Sequence, residues 1–173
     1  PTLDQPLGFG GQGLIGVDEI GEKVNRLNRG ENYISDVEDN ELRQGVKAGK
    51  LKATTDFAQL RQCDVVLICV PTPLTKQKEP DLTAVVKVTR ELAKHTHPDM
   101  LVILESTTYP GTTEEVLQPI LTSVGLKVGE TLYLAFSPER VDPGNHSFKT
   151  QNTFKLVGGV TPACLNHAKT FYE

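Results

Sequence analysis

The sequence has few cysteines and histidines, no basic excess and no long apolar run, and each shortage excludes a class of protein. Its three cysteines, Cys63, Cys69 and Cys164, have spacings that fit neither a disulfide framework nor a metal site. The four histidines are scattered, so no metal is predicted, and the cysteine usage predicts a reducing, cytoplasmic setting. A net charge of −4 argues against nucleic acid as a partner. Apolar runs such as "DVVLICV" are too short to cross a membrane, and no secretory leader is visible.

What the sequence does contain is an alternation of apolar strands and amphipathic helices. Strands are predicted at residues 13–18, 52–56, 64–70, 100–106, 131–137 and 153–159, and helices at 22–30, 38–48, 57–62, 81–95, 112–125 and 161–173. Such alternation predicts an α/β fold with a Rossmann-like, doubly wound parallel sheet covered by helices on both faces. No repeat or linker divides the chain, so residues 1–173 are predicted to form one domain.

Polar residues cluster just after the predicted strands. Asp18 ends the first strand, "PTP" follows the strand that ends at Val70, "ESTTYPG" begins at Glu105, and "SPERVDPGN" begins at Ser137. In open α/β sheets the carboxyl edge forms the ligand crevice, so these segments are predicted to line a binding site.

The segment "ESTTYPGTTEE" is the most informative of the four. We expect Ser106, Thr107 and Thr108 to present their hydroxyls to the crevice, with the following Pro-Gly turn allowing close backbone approach. Thr112 or Thr113 is predicted to cap a helix whose N-terminal amides favour anionic ligand groups.

Each of these features also has a purely structural interpretation. Asp18 is the kind of residue that caps a helix, and Pro-Thr-Pro makes a rigid turn. Hydroxyls before a helix commonly serve as caps, and Glu139 could simply pair with Arg140. Cys69 lies in a predicted buried strand, which predicts an inert thiol.

The motifs together are more specific than any one of them. In order they are "LIGVD" with Lys23, "LNRGENYI", "CDVVLICVPTPL", "EPDLTAV", "VILESTTYPGTTEEV", "LAFSPERVDPGN" and "KLVGGVTPAC". From about Gly13 onward the chain resembles the nucleotide-sugar 6-dehydrogenases, the UDP-glucose, UDP-N-acetylhexosamine and GDP-mannose dehydrogenases. "ESTTYPGTTEE" and "SPERVDPGN" particularly resemble the branch that acts on UDP-N-acetylglucosamine.

The resemblance implies an NAD-dependent enzyme that oxidises the C6 alcohol of a UDP-sugar to the uronic acid, for cell-surface polysaccharide precursors. UDP-N-acetylglucosamine is the favoured substrate, with UDP-glucose or UDP-N-acetylmannosamine as alternatives. In this family the aldehyde intermediate is held on a cysteine, and the enzymes are usually homo-oligomers. A non-catalytic nucleotide-binding or scaffold protein of the same fold is the alternative from another class.

The resemblance also implies roles for individual residues. Asp18 and Lys23 would lie at the adenosine ribose of NAD, and Val70, Pro71 and Thr72 would line the dinucleotide. Thr107 would lie near the nicotinamide and the reacting carbon, as both a cofactor-binding and a catalytic residue. Glu139 would assist proton transfer, and Glu139 with Arg140 would contact the substrate.

The sequence departs from the family pattern at both ends. The segment before Gly13 has neither the family's first strand nor its Gly-x-Gly-x-x-Gly turn, and "GFGGQG" is not interpreted as that turn. No residue matches the family's nucleophilic cysteine and partner lysine, and Cys164 does not occupy that position. We therefore expect an incomplete NAD-binding domain, without the linking helix and the UDP-sugar domain, that does not complete the oxidation alone.

Overall fold

Strands and helices alternate along the chain in the computed structural model, which describes residues 13–33, 37–138 and 154–173. The described residues form two units, residues 13–33 with 37–59, and residues 60–138 with 154–173. In chain order the elements are β1 (Leu14–Val17), α1 (Gly21–Asn28), α2 (Asp39–Lys47), β2 (Leu51–Thr54), a 3-10 helix (Phe57–Gln62), β3 (Val65–Ile68), α3 (Thr83–Ala93), β4 (Met100–Leu104), a π-helical turn (Thr113–Leu117), α4 (Gln118–Thr122), β5 (Leu132–Phe136), β6 (Gly158–Gly159) and α5 (Pro162–Tyr172). No helix in these ranges is long and apolar enough to cross a membrane.

The first unit is a two-stranded parallel sheet, in which β1 pairs with β2. Helices α1 and α2 both contact β2. Leu42 of α2 and Leu51 of β2 are buried in its core together with Val37. The side chain of Asn28, at the end of α1, donates to the Ala53 carbonyl at 2.9 Å and accepts from the Ala53 N–H at 2.8 Å. One amide side chain therefore satisfies both backbone groups of a residue in β2.

The second unit is a four-stranded sheet in the order β3-β4-β5-β6. Strands β3, β4 and β5 are parallel, as predicted, and residues Ile68, Leu104 and Phe136 lie in register at their carboxyl ends. β6 pairs with β5 in the antiparallel direction. The α/β class with parallel strands is confirmed, and its last short strand runs the opposite way.

Strand β4 is the centre of the second unit, and all five of its residues are buried. Leu101 and Ile103 belong to a cluster with Ala135 and with Ala168 of α5. Their neighbours along the strand point to the opposite face and have no exposed surface at Val102 and Leu104. Both faces of β4 are therefore covered, as the uniformly apolar run predicts.

Two segments differ from the simplest prediction. Pro119 cannot donate a backbone hydrogen bond, and the helix predicted at residues 112–125, which contains it, begins as a π-helical turn and continues as α4. The strand predicted at residues 153–159 is wrong over most of its length, because only Gly158 and Gly159 pair with β5. The apolar letters of "FKLV" suggested a strand, but Phe154 and Leu156 are exposed and unpaired with any described strand.

The two glycines of β6 differ sharply in the space around them. A Cβ added at Gly159 would lie 2.6 Å from the Cα of Leu165 in α5 and closer still to its backbone nitrogen, whereas at Gly158 the nearest atom is the Phe136 carbonyl oxygen at 4.0 Å. We predict that Gly159→Ala lowers the free energy of unfolding by about 1–3 kcal/mol, since backbone cannot move aside as a side chain can. The matched variant Gly158→Ala should change it by less than about 0.5 kcal/mol. Urea unfolding of both variants measures the difference, and equal stabilities would contradict the close packing of α5 on β6.

Candidate functional site

Asp18 lies directly after β1, at the carboxyl end of the first unit's sheet. Its Oδ1 accepts a hydrogen bond from the backbone N–H of Ile20 at 2.8 Å. Its Oδ2 lies 3.7 Å from Nζ of Lys23, and the two side chains are 38% and 46% exposed, respectively. Asp18 thus stabilises the turn into α1 and also presents a carboxylate oxygen, with a lysine beside it, to the solvent.

Ser106 lies two residues after the end of β4, where the sequence predicts a hydroxyl facing the crevice. Instead the Ser106 side chain is buried, with only 6% of the residue exposed. Its Oγ accepts from the N–H of Val70 at 2.9 Å and lies 2.8 Å from the Val70 carbonyl, to which it donates. The expectation for Ser106 is therefore wrong, because two backbone groups of the neighbouring segment take up its hydroxyl.

A second hydrogen bond joins the segment after β3 to the segment after β4, farther along the chain from the strand ends. Thr72 Oγ1 donates to the carbonyl oxygen of Thr107 at 2.6 Å. The second unit thus brings together Val70, Pro71, Thr72 and Thr107, which sequence reasoning assigned to one site. Because both peptide groups of Val70 bind Ser106, its side chain is the part left to face a ligand.

The turn after Thr107 lines a pocket of about 390 Å³ at the carboxyl end of the second unit's sheet. Its wall consists of Thr108–Glu114, Phe136 and Gly158–Val160. The Thr108 hydroxyl is buried and has no hydrogen-bond partner among the described residues. Gly111 has a φ of +96°, a conformation that favours glycine, so the tight turn expected there is confirmed.

The capping role predicted for Thr112 or Thr113 is wrong. Thr112 Oγ1 donates to the carbonyl of Tyr109 at 2.7 Å, and no side chain caps the π-helical turn that follows. Both threonines are buried, at 1% and 9% exposure. The Thr112 hydroxyl therefore stabilises the turn itself, and the residues of the turn line the pocket.

Glu105, the first residue after β4, is the centre of a partly exposed polar cluster that also contains Cys69, Lys155 and Tyr172. Its Oε1 lies 2.6 Å from Lys155 Nζ and 2.6 Å from the Tyr172 hydroxyl, and its Oε2 lies 3.3 Å from Cys69 Sγ. The Glu105 side chain is 10% exposed and that of Lys155 30%. The Lys155 ammonium also lies 4.6 Å from the centre of the Tyr172 ring. Glu105 thus ties the end of β4 to α5 and to the segment that precedes β6.

The cluster shifts the pKa values of its members in opposite directions. Burial by itself would raise the pKa of Glu105, but the hydrogen bonds from Lys155 and Tyr172 outweigh it and hold the pKa below its usual range. Burial and the Glu105 carboxylate raise the pKa of the Cys69 thiol to about 12. Burial and the hydrogen bond to Glu105 also raise the pKa of Tyr172. The raised pKa keeps the Cys69 thiol protonated at neutral pH. The predicted burial of Cys69 within a strand is wrong, because the residue follows the end of β3 and is exposed.

Other predicted positions lie outside the described residues. These are Glu139, Arg140 and the N-terminal segment in which the glycine turn of the family was sought. Within the described ranges no group of three or more His, Cys, Asp or Glu side chains is placed to hold a metal ion.

Sequence reasoning missed the cluster around Glu105. The signal was weak, since Glu105 is the first charged residue after an uninterrupted apolar run, but its partners are distant in the chain, at Lys155 and Tyr172. No spacing rule connects them. Cys164, which sequence reasoning set aside, is buried and accepts from the N–H of Leu134 at 3.3 Å.

The fold and the polar carboxyl ends of its parallel strands define a dinucleotide-binding α/β protein. Residues 6–173 match the model of the UDP-glucose/GDP-mannose dehydrogenase family, NAD binding domain. The chain belongs to this family of NAD-dependent nucleotide-sugar dehydrogenases, and its cofactor is NAD. The described groups fit that cofactor: an exposed carboxylate at the end of β1 suits a ribose diol, and a hydroxyl-lined strand end suits the polar groups of a dinucleotide.

Three known proteins illustrate the similarity. The chain is 32% identical to a UDP-N-acetyl-D-glucosamine 6-dehydrogenase of Pseudomonas aeruginosa, over 92% of this chain and 37% of that protein. It is 34% identical to a UDP-N-acetyl-D-mannosamine dehydrogenase of Pyrococcus horikoshii, over 94% of this chain and 39% of that protein. The crystal structure of an NDP-N-acetyl-D-galactosaminuronic acid dehydrogenase from Methanosarcina mazei superposes with a TM-score of 0.83 at 35% identity, over 92% of this chain and 36% of that one. The chain thus spans well under half the length of these relatives.

We predict that Glu105→Gln lowers the free energy of unfolding by about 1–3 kcal/mol, because it leaves the partly buried Lys155 ammonium without its counter-charge. A matched control is Glu130→Gln, which breaks the exposed pair with Lys127 and should cost less than about 0.5 kcal/mol. Urea unfolding at neutral pH measures both changes. A Glu105→Gln variant as stable as the control would show that the cluster contributes nothing to stability.

The stabilisation by Glu105 should also depend on pH. Since the folded-state pKa of Glu105 is lowered, its contribution is fully present above the unfolded-state pKa of about 4.3 and is lost as the pH falls through the lower folded-state value. The stability difference between wild type and Glu105→Gln should therefore be constant near neutral pH and shrink in acid. A difference that persists unchanged well below the unfolded-state pKa would contradict an ionised Glu105.

Proposed function

We propose that the chain is the NAD-binding part of a UDP-sugar 6-dehydrogenase, with UDP-N-acetylglucosamine as the favoured substrate. The observation that carries the proposal is the match of residues 6–173 to the NAD-binding domain of this family. Polar residues at the carboxyl end of β1 in the first unit, and at those of β3 and β4 in the second, support it, because the carboxyl ends of strands are where open α/β sheets bind ligands. As in its relatives, the remaining catalytic groups would belong to a longer protein.

The proposed reaction converts a primary alcohol into a carboxylate. Written in full, R–CH₂OH, two NAD⁺ and one water give R–COO⁻, two NADH and three protons. NAD⁺ supplies the hydride acceptor for each of the two oxidations. The alcohol carbon loses two hydrides in total, and water provides the second oxygen of the carboxylate.

The described residues have definite tasks in this proposal. The Asp18 carboxylate accepts hydrogen bonds from the ribose hydroxyls, and Lys23 lies beside the same ribose. The side chains of Val70, Pro71 and Thr72 line the dinucleotide. Thr107 is exposed and lies next to Thr72, where its hydroxyl orients the reacting alcohol or a water. We assign Glu139 to proton transfer and Arg140 to the substrate, from the motif "SPER" alone.

The identity of the sugar is the finer part of the proposal. The motifs "ESTTYPGTTEE" and "SPERVDPGN" favour UDP-N-acetylglucosamine, and a relative with that printed activity is 32% identical. A relative named for UDP-N-acetyl-D-mannosamine is 34% identical, so overall similarity does not separate the two sugars. UDP-N-acetylmannosamine and UDP-glucose are therefore the competing substrates.

A non-catalytic nucleotide-binding or scaffold protein is the second candidate. Its motivation is that "GFGGQG" directly precedes strand β1, whereas the dinucleotide-binding glycine turn opens a helix. The polar loops after β3 and β4 argue against it. Binding of NAD⁺ without turnover, in the complete protein as its source encodes it, would support this candidate.

We predict that Asp18→Ala raises the Kd for NAD⁺ about 10- to 100-fold, the effect of losing hydrogen bonds to a charged group. Glu22→Gln, which removes an exposed carboxylate from the first turn of α1, is the matched control and should leave the Kd unchanged. Isothermal titration calorimetry measures both. An unchanged Kd in Asp18→Ala would remove Asp18 from the cofactor site.

The substrate is tested by NADH formation with UDP-N-acetylglucosamine, UDP-N-acetylmannosamine and UDP-glucose, in the complete protein as its source encodes it. We expect the highest kcat/KM with UDP-N-acetylglucosamine and two NADH per sugar consumed. A higher kcat/KM with either competitor would correct the sugar, and one NADH per sugar would exclude oxidation to the acid.

A further inference from the structure

The end of the β3–β4 pairing has an unusual connection. In-register pairing runs to Ile68 and Leu104. Beyond it, the Ile68 carbonyl accepts from the backbone N–H groups of Glu105 at 2.9 Å and of Ser106 at 3.2 Å. Two residues farther on, the Ser106 hydroxyl binds both the N–H and the C=O of Val70, at 2.9 and 2.8 Å. These are the two backbone groups that another strand residue would pair with. The serine side chain therefore replaces backbone pairing at the point where the crevice opens.

A second hydroxyl joins the same two segments in the opposite direction. Thr72, on the β3 side, donates to the Thr107 carbonyl on the β4 side at 2.6 Å. The two segments are therefore joined twice, by Ser106 to Val70 and by Thr72 to Thr107. The Ser106 connection is partly buried and the Thr72 connection is exposed.

The sequence between the two connections is stiff. Pro71 and Pro73 fix their own φ angles and restrict the residues before them, so residues 70–73 have little freedom to adjust internally. If the Ser106 connection is lost, the segment therefore shifts as a unit and moves Thr72 relative to Thr107. The buried N–H of Val70 would then have no partner in its present position.

We propose that Ser106 is a positioning residue for the reaction, which holds the segment of Val70–Thr72 at a fixed distance from Thr107 and so orients the nicotinamide end of NAD⁺. The inference rests on the proposed function. Ser106 is buried, and its hydroxyl donates its one proton to the Val70 carbonyl and accepts from the Val70 N–H, so we assign it to holding the segment and not to cofactor binding. It acts through the two segments that do.

A purely structural role would lower stability without favouring one half of the cofactor. The test therefore compares NAD⁺ with ADP-ribose, which lacks the nicotinamide. The variants are Ser106→Ala and a control, Thr89→Val, which removes another buried hydroxyl, one that binds the Val85 carbonyl within α3 at 2.7 Å. Both ligands are titrated calorimetrically into wild type and both variants of the complete protein as its source encodes it.

We expect Ser106→Ala to raise the Kd for NAD⁺ about tenfold and to leave the Kd for ADP-ribose unchanged. Thr89→Val should change neither. In the absence of ligand, the amide of Val70 should exchange with solvent on the order of tenfold faster in Ser106→Ala and at the wild-type rate in Thr89→Val.

Three results would overturn the inference. An unchanged exchange rate at Val70 would show that Ser106 does not hold the segment, whatever the cofactor does. Equal effects on NAD⁺ and ADP-ribose, or no effect on either, would leave Ser106 with a structural role only. Failure of the complete wild-type protein to bind NAD⁺ would overturn the proposed function together with this inference, whereas the first two results leave the proposed function intact.

Discussion

The burial of β4 on both faces is the constraint from which the rest of the second unit follows. A strand covered on both sides has no place for a polar side chain along its length, so all polar chemistry is confined to its end. Three consecutive residues meet that demand in different ways. Glu105 forms an ion pair and hydrogen bonds with distant groups, Ser106 binds the neighbouring chain, and Thr107 is exposed.

These neighbours also hold the end of β4 from two sides. Ser106 connects it to the segment after β3, and Glu105 connects it to Lys155 and to α5 through Tyr172. The Ser106 and Glu105 connections stabilise the strand end in different ways. The serine satisfies two backbone groups that would otherwise be unpaired, and the carboxylate is stable in a partly buried place only because a cation and a hydroxyl accompany it. Thr107 therefore extends from a backbone that is fixed on both sides.

How much of this could be predicted depended on the range of the interactions. Apolar runs and helical spacing predicted the strands and helices of both units, because those patterns are local. The side of the sheet that would carry polar groups also followed from strand order. The hydrogen-bond partner of each hydroxyl could not be predicted in the same way. Ser106 was expected to face the crevice and Thr112 to cap a helix, yet both hydroxyls donate to backbone carbonyls nearby. The partners of Glu105 could not be predicted, because a contact between residues 105 and 155 produces no periodic pattern in the sequence.

The side-chain amide of Asn28 covers part of the free edge of strand β2. In the described part of the chain β2 pairs with β1 alone, which makes it an edge strand. An edge strand can pair with a strand of another molecule, because its outward N–H and C=O groups have no strand partner. Asn28 already binds both groups of Ala53, in the middle of this short edge. A single side chain from α1 thus occupies the two backbone groups of Ala53 to which an added strand would pair at this edge.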